Sequence, residues 1–259
     1  MRNNAFLYAF TALILSSLSL ACGDSTLDDL LQDKAQVRVI HLSYDGPSVD
    51  IYANDAKAIT DLPFTRASEY VEVDANKEIK FKVTETGKTD AALPESTQTL
   101  EKDKSYTVLA IGKIADQKAL AVLSDDNAAP AQGKAKIRVF HGAPDAPTVE
   151  IKSEKADGTQ LFKVAFGEGS AYQEVDAGDV KIVLTAEGST EALASYQAIT
   201  LEAGKIYTIV AHGTFDSSDQ VDFGLRAFID NGEGKGKDFA DLVPEGTTTQ
   251  NEAKARAEG

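Results

Sequence analysis

The chain has 259 residues, 42% of them apolar and 26% charged, the balance of a folded globular protein with room for one large or two ordinary domains. Its 41 Asp and Glu residues against 26 Lys and Arg give a formal charge of −15, the wrong sign for following a phosphate backbone or docking electrostatically on anionic lipid. A single Cys, one Met and no Trp exclude a disulfide framework, a thiolate cluster for zinc or iron–sulfur, and a redox CxxC pair.

Residues 1–21 place one positive side chain, Arg2, ahead of an uncharged stretch from Ala5 to Leu20, the layout of a signal peptide. That stretch is shorter than the roughly 20 residues a membrane-spanning helix needs, and small Ala21 closes it, so removal is expected rather than retention. The only cysteine, Cys22, stands at this boundary, and Leu18-Ser19-Leu20-Ala21-Cys22 resembles the lipobox of bacterial lipoproteins, with Ser19 where a Leu is usual. The resemblance implies acylation of Cys22 and cleavage before it. Several acyl chains make membrane attachment stable where one gives only marginal binding. Cleavage removes one basic residue and leaves 25 basic against 41 acidic side chains, net −16, so the folded part is expected to stand off an anionic surface. The alternative is a conventionally secreted protein. Residues 22–34 form a linker in which Ser25 and Asp28, followed by Leu30 and Leu31, have the pattern of a capped short helix.

The rest of the chain is dominated by an internal repeat at an offset of 100 residues. VRVIHLSYDGPSVDI (37–51) aligns without a gap on IRVFHGAPDAPTVEI (137–151), with seven identities in fifteen positions. The register persists through Tyr70 and Tyr172 to Tyr106-Thr107-Val108 and Tyr207-Thr208-Ile209. Two homologous domains follow, residues 35–126 and 135–231, joined by a linker at 127–134. Within each, strand signals recur and no long helical period is present. Ile79, Phe81 and Val83 alternate with Lys80, Lys82 and Thr84, as in a half-buried strand, whereas 106–111 and 207–211 are apolar on both parities, as in a strand covered on both faces. About seven short strands in some ninety residues predict an all-β fold: two tandem immunoglobulin-like antiparallel β-sandwiches.

Tyr106 and Tyr207 each open a strand three residues after a turn position, Asp103 or Gly204, which predicts a tyrosine corner closed by the phenol. His41 and His141 end the first strand of each copy on its apolar face, and a structural lock is expected there rather than a ligand. The turns beside them carry Asp45 and Pro47 in one copy and Pro144, Asp145 and Pro147 in the other, where proline fixes φ and Asp reaches backbone amides. Arg138, Val139, His141, Pro144-Asp145-Ala146-Pro147, Val149 and Ile151, with Phe166, Tyr172 and Tyr207-Thr208-Ile209, resemble the domain of unknown function 4397. The first copy departs from that pattern at Ser43-Tyr44-Asp45-Gly46-Pro47. The resemblance implies secreted or anchored bacterial proteins, often with tandem copies, carrying an immunoglobulin-like domain of no established chemistry.

No histidine comes at metal-ligand spacing with another. Asp216, Asp219 and Asp222 offer hard oxygen donors for calcium, but their spacing does not match an EF-hand and a solvated acidic turn is expected. The Gly232-Glu233-Gly234-Lys235-Gly236-Lys237 stretch lacks the spacing of a phosphate loop and is expected to open a flexible polar tail, residues 232–259. No catalytic motif or cofactor site is predicted. The leading expectation is a non-enzymatic lipoprotein of the bacterial cell envelope, in the outer membrane facing the periplasm or exterior. It would bind an envelope protein or a glycan, with no nucleic-acid partner. Two other classes remain open: a carbohydrate-active or hydrolytic envelope enzyme using loop carboxylates, and a calcium-stabilised adhesin.

Overall fold

A computed structural model of the protein describes residues 33–113, 120–153, 160–215, 221–234 and 236–245; the expected signal peptide, Cys22, Asp216 and Asp219 lie outside them. The described residues form seventeen strands and no helix. The first repeat contributes β1 (Lys34–Leu42), β2 (Val49–Ala53), β3 (Ala56–Leu62), β4 (Val71–Asp74), β5 (Glu78–Glu85), β6 (Ser96–Thr99), β7 (Ser105–Ile111) and β8 (Leu120–Asp125). The second contributes β9 (Lys134–His141), β10 (Val149–Ser153), β11 (Gln160–Val164), β12 (Gln173–Asp176), β13 (Gly178–Ala186), β14 (Ala192–Leu201), β15 (Ile206–His212), β16 (Gly224–Ile229) and β17 (Phe239–Asp241).

Each repeat is a sandwich of two sheets. In the first they run β4-β1-β7-β8 and β3-β2-β5-β6; in the second, β12-β9-β15-β16-β17 and β11-β10-β13-β14. The architecture is the expected all-β one, with two departures in detail. The first strand of each repeat lies parallel to a late one, β1 on β7 and β9 on β15, where antiparallel pairing alone was expected. Each repeat also has an eighth strand, β3 or β11, hairpinned onto β2 or β10.

Strand parity sorts the side chains. Along β1, Val37 and Val39 enter the core of their own sandwich with Ile51, Phe81, Val83 and Val108. The corresponding positions of the second repeat, Ile137 and Val139, enter a separate core with Ile151, Leu184 and Ile209. The opposite parity of β1, β7, β9, β15 and β16 builds a third cluster, in which Ile40, Leu42, Leu109 and Ile111 of one sandwich meet Phe140, Val210 and Phe228 of the other. The strands that are apolar on both parities are therefore covered on one face by their own sandwich and on the other by the neighbouring one. Contact is close enough to exclude a side chain: a Cβ on Gly142 would lie 2.8 Å from Leu42 Cδ1 and 2.9 Å from the Ala211 carbonyl oxygen.

Part of the expected flexible tail is ordered. Residues Phe239–Asp241 extend the second sandwich by pairing antiparallel with β16, and Leu242 is buried in that sandwich's core. The chain then crosses to the opposite sheet, where Gln197 donates to the Val243 carbonyl (2.7 Å) and Glu245 to that of Ser195 (2.7 Å). The short apolar cluster from Phe239 to Val243 thus closes one side of the sandwich. The gain is burial of Leu242 and pairing of a sheet edge that would otherwise show unpaired amides to solvent.

Candidate functional site

The densest arrangement of chemically able side chains lies between the sandwiches, on the outward parity of β1, β7, β9 and β15. Arg38 and Arg138 hold equivalent places in the two repeats and are both buried. Arg38 Nε donates to Thr107 Oγ1 in its own sandwich (2.9 Å), and its Nη2 reaches across to Asp230 Oδ1 (2.6 Å) and Thr208 Oγ1 (3.2 Å). Arg138 repeats this in mirror order: Nε to Thr208 Oγ1 (2.9 Å), Nη2 to Asp125 Oδ1 (2.5 Å) and to Thr107 Oγ1 (2.9 Å).

Each carboxylate is held by its own sandwich as well. Asp125 accepts from Tyr70 Oη (2.7 Å) and Thr107 Oγ1, and Asp230 accepts from Tyr172 Oη (2.7 Å) and Thr208 Oγ1 (2.7 Å). The tyrosine rings lie over the guanidiniums they flank, 5.3 Å for Tyr70 on Arg38 and 4.6 Å for Tyr172 on Arg138. The last guanidinium donors meet carbonyls, Arg38 Nη1 that of Gly236 (2.8 Å) and Arg138 Nη1 that of Ser124 (3.1 Å). Burial opposes the charge of Arg38, but the carboxylates of Asp230 and Asp125 outweigh it and hold the guanidinium above its ordinary pKa. Burial likewise pushes the Tyr70 and Tyr172 phenols up, so both donate as neutral hydroxyls. Every nitrogen and carboxylate oxygen of the cluster has a hydrogen-bond partner, and the bonds run reciprocally between the two sandwiches.

The histidine turns are built alike. His41 Nε2 donates to the Pro47 carbonyl (3.1 Å) while Nδ1 accepts the Ser43 amide (3.3 Å); His141 does the same with Pro147 (3.0 Å) and Ala143 (3.3 Å). Only the neutral tautomer protonated on Nε2 satisfies both contacts. Burial lowers the pKa of His41 to about 4 and that of His141 in the same direction. His212 is also lowered to about 4, by burial and by Arg226. Phe64 of the first sandwich stands edge-on to both His41 (6.1 Å) and His212 (6.0 Å). Asp145 Oδ1 accepts the amide of Phe215 (2.9 Å), tying its turn to the chain that follows β15, and Asp45 is exposed.

Tyr106 Oη accepts the Glu101 amide (3.0 Å) and Tyr207 Oη that of Glu202 (2.9 Å), so each phenol spans the turn before its strand. The turn residues have positive φ, 60° at Asp103 and 82° at Gly204, a conformation Gly adopts freely and Asp tolerates. Of the calcium candidates only Asp222 is described, exposed and backbone-paired with Thr214. Among the described residues no three His, Cys, Asp or Glu side chains group as a metal site.

The class is thus an all-β protein of two tandem sandwiches docked by a buried, reciprocal ion-pair cluster. The chain belongs to the family described as Domain of unknown function (DUF4397), whose profile matches residues 35–152 and 155–241. No curated protein matches the sequence. Similar solved structures include the family 26 carbohydrate-binding module from Eubacterium rectale Amy13K in complex with maltoheptaose, at 11% identity over 78% of this chain and 99% of that one, TM-score 0.24. Others are a streptococcal virulence factor described for alpha-glucan binding (14% identity, 68% and 92% covered, TM-score 0.23) and a fimbrial assembly protein from Parabacteroides distasonis (10%, 82% and 99%, 0.23). At these TM-scores the likeness carries nothing about what this chain binds.

Two outcomes follow. Asp230→Asn leaves the Arg38 charge buried without its counter-charge and is expected to cost about 3–5 kcal/mol in urea unfolding, whereas an exposed carboxylate such as Glu78 changed to Gln costs under about 1 kcal/mol. The histidines set an acid limit. The unfolded chain takes up protons near the ordinary imidazole value of 6.5 while folded His41 and His212 refuse them until about 4, so stability is full above 6.5 and falls as pH drops through that window. The loss is roughly 3 kcal/mol from each by the bottom of the window, checked by unfolding at a series of pH values.

Proposed function

We propose that the protein is a non-enzymatic lipoprotein of the bacterial cell envelope, attached through acylated Cys22, whose two sandwiches act as one binding or scaffolding body for an envelope protein or glycan. The observation that carries this reading is how the buried polar groups are used. Both central carboxylates, Asp125 and Asp230, are consumed in holding one sandwich to the other, and both turn histidines are fixed as neutral donors to proline carbonyls. Chemistry of this kind specifies a shape, and loops at the sandwich ends present that shape to a partner. The Cys22 anchor is supported by its place after an uncharged leader, and the expected net charge of −16 keeps the body clear of the lipid that holds it.

Mass spectrometry of the mature amino terminus, on protein extracted from membranes, tests the anchor: acyl mass on Cys22 is expected, and an unmodified terminus overturns it. Capture of a specific envelope protein or glycan by the purified body supports the binding role. Specific turnover of a substrate overturns the non-enzymatic reading.

A further inference from the structure

Three of the four arginines among the described residues hold a carboxylate: Arg38 that of Asp230, Arg138 that of Asp125 and Arg226 that of Asp241. The fourth, Arg66, holds none. Its Nη1 is buried without a hydrogen-bond partner, and its other guanidinium nitrogens donate to no described residue. What it does touch is the ring of Phe239, 4.2 Å away, against which Arg226 also stacks. A guanidinium drawn part-way out of water calls for an anion, which an aromatic ring does not supply.

The turn that carries Arg66 does not require an arginine. His41 donates to the Arg66 carbonyl (3.0 Å), Thr65 to that of His41 (2.7 Å) and Ser68 to that of Val39 (2.9 Å). In the second repeat His141 donates to Glu168 (3.0 Å), Gly167 to His141 (2.8 Å) and Ser170 to Val139 (2.8 Å). The same turn thus closes around an exposed residue of opposite charge. The surroundings differ, because Arg66 borders a groove of about 610 Å³ between Leu62, Pro63 and Ala67 of the first sandwich and Lys237, Asp238 and Phe239 of the second. That volume is of the size that holds a small ligand.

The lining selects the ligand. Lys237 is shared with Glu69, and the Asp238 carboxylate accepts the Gly234 amide (2.7 Å), which leaves the Arg66 fork as the donor set open to an anion. Two acids at the rim favour one negative charge over the nearly two of a phosphate group, and a planar fork matches a planar carboxylate. Leu62, Pro63 and Ala67 suit an apolar neighbour of that carboxylate. Main-chain partners are at hand as well. β17 ends its sheet, and with Leu242 bonded to Leu225 and Ile229 to Asp238, the backbone of Phe239 and Asp241 is turned away from β16. An extended chain laid along that edge would find amides and carbonyls beside the guanidinium.

We infer that this groove is a carboxylate site, and that it takes the acidic side chain of an extended peptide with apolar residues on either side. The inference rests on the binding role proposed above and gives its partner a chemistry.

The test follows the Arg66 Nε–H and Phe239 amide signals by NMR, on the full chain in mild detergent, as the acetylated and amidated tripeptide Leu-Glu-Leu is added. Both signals are expected to move and saturate. Arg66→Gln is expected to weaken binding about 10-fold to 100-fold, read at Phe239, with amides far from the groove unmoved. The Leu-Gln-Leu analogue, free 4-methylpentanoate and inorganic phosphate are each expected to bind more weakly than Leu-Glu-Leu. Equal binding of the Gln analogue overturns the carboxylate, equal binding of the free acid overturns the peptide, and tighter binding of phosphate overturns the single charge. No saturable shift at Arg66 up to about 10 mM peptide overturns the site altogether. Such a failure leaves the binding role itself standing at the sandwich-end loops, where capture by the purified body tests it separately.

Discussion

The guanidiniums of Arg38 and Arg138 find their carboxylates only across the sandwich boundary, and the rest of the molecule is arranged around that fact. A charge removed from water must be neutralised where it is buried. Each sandwich carries a buried arginine on its first strand and a buried carboxylate at the end of a late strand of the same sheet, and docking pairs them crosswise. The apolar cluster of Ile40, Leu109, Phe140, Val210 and Phe228 supplies attraction without direction. The ion pairs supply direction, because sliding either sheet leaves two buried charges unmatched.

Duplication explains why the arrangement is possible. Two copies of one sheet face meet about an approximate two-fold axis, so that Arg38, Thr107, Tyr70 and Asp125 are answered by Arg138, Thr208, Tyr172 and Asp230. The symmetry breaks where the chain leaves the second sandwich. Gly236 gives its carbonyl to Arg38 where Ser124 serves Arg138, and Phe239 lies 4.2 Å from both Arg66 of the first sandwich and Arg226 of the second. The segment after β16 is thus a clasp: it covers an edge, fills part of one core and touches both sandwiches.

Much of this was legible in the residues, for particular reasons. The offset of 100 residues marked two domains, and period-two alternation in 79–84 marked a sandwich strand, because neither signal depends on how the two repeats pack together. Apolar character on both parities of 106–111 and 207–211 showed that a second face was covered, but not by what, since the cover comes from the other repeat. Arg38 and Arg138 were visible as matching arginines in the two aligned first strands. Their role was not, because the carboxylate each one meets, Asp230 for Arg38 and Asp125 for Arg138, belongs to the opposite sandwich, 192 and 13 residues away along the chain. β3 escaped notice because Ile59 and Leu62 are its only large apolar residues and most of its side chains face water. β17 escaped because three exposed residues make a strand only where β16 offers an edge.

The two sandwiches accordingly pack as one compact unit through the cluster they share. Residual dipolar couplings of backbone amides in the aligned full chain measure this directly. One alignment tensor should fit the amides of β1–β8 and of β9–β17 together. Two tensors of different magnitude or orientation would mean that the sandwiches move independently, and would contradict the account.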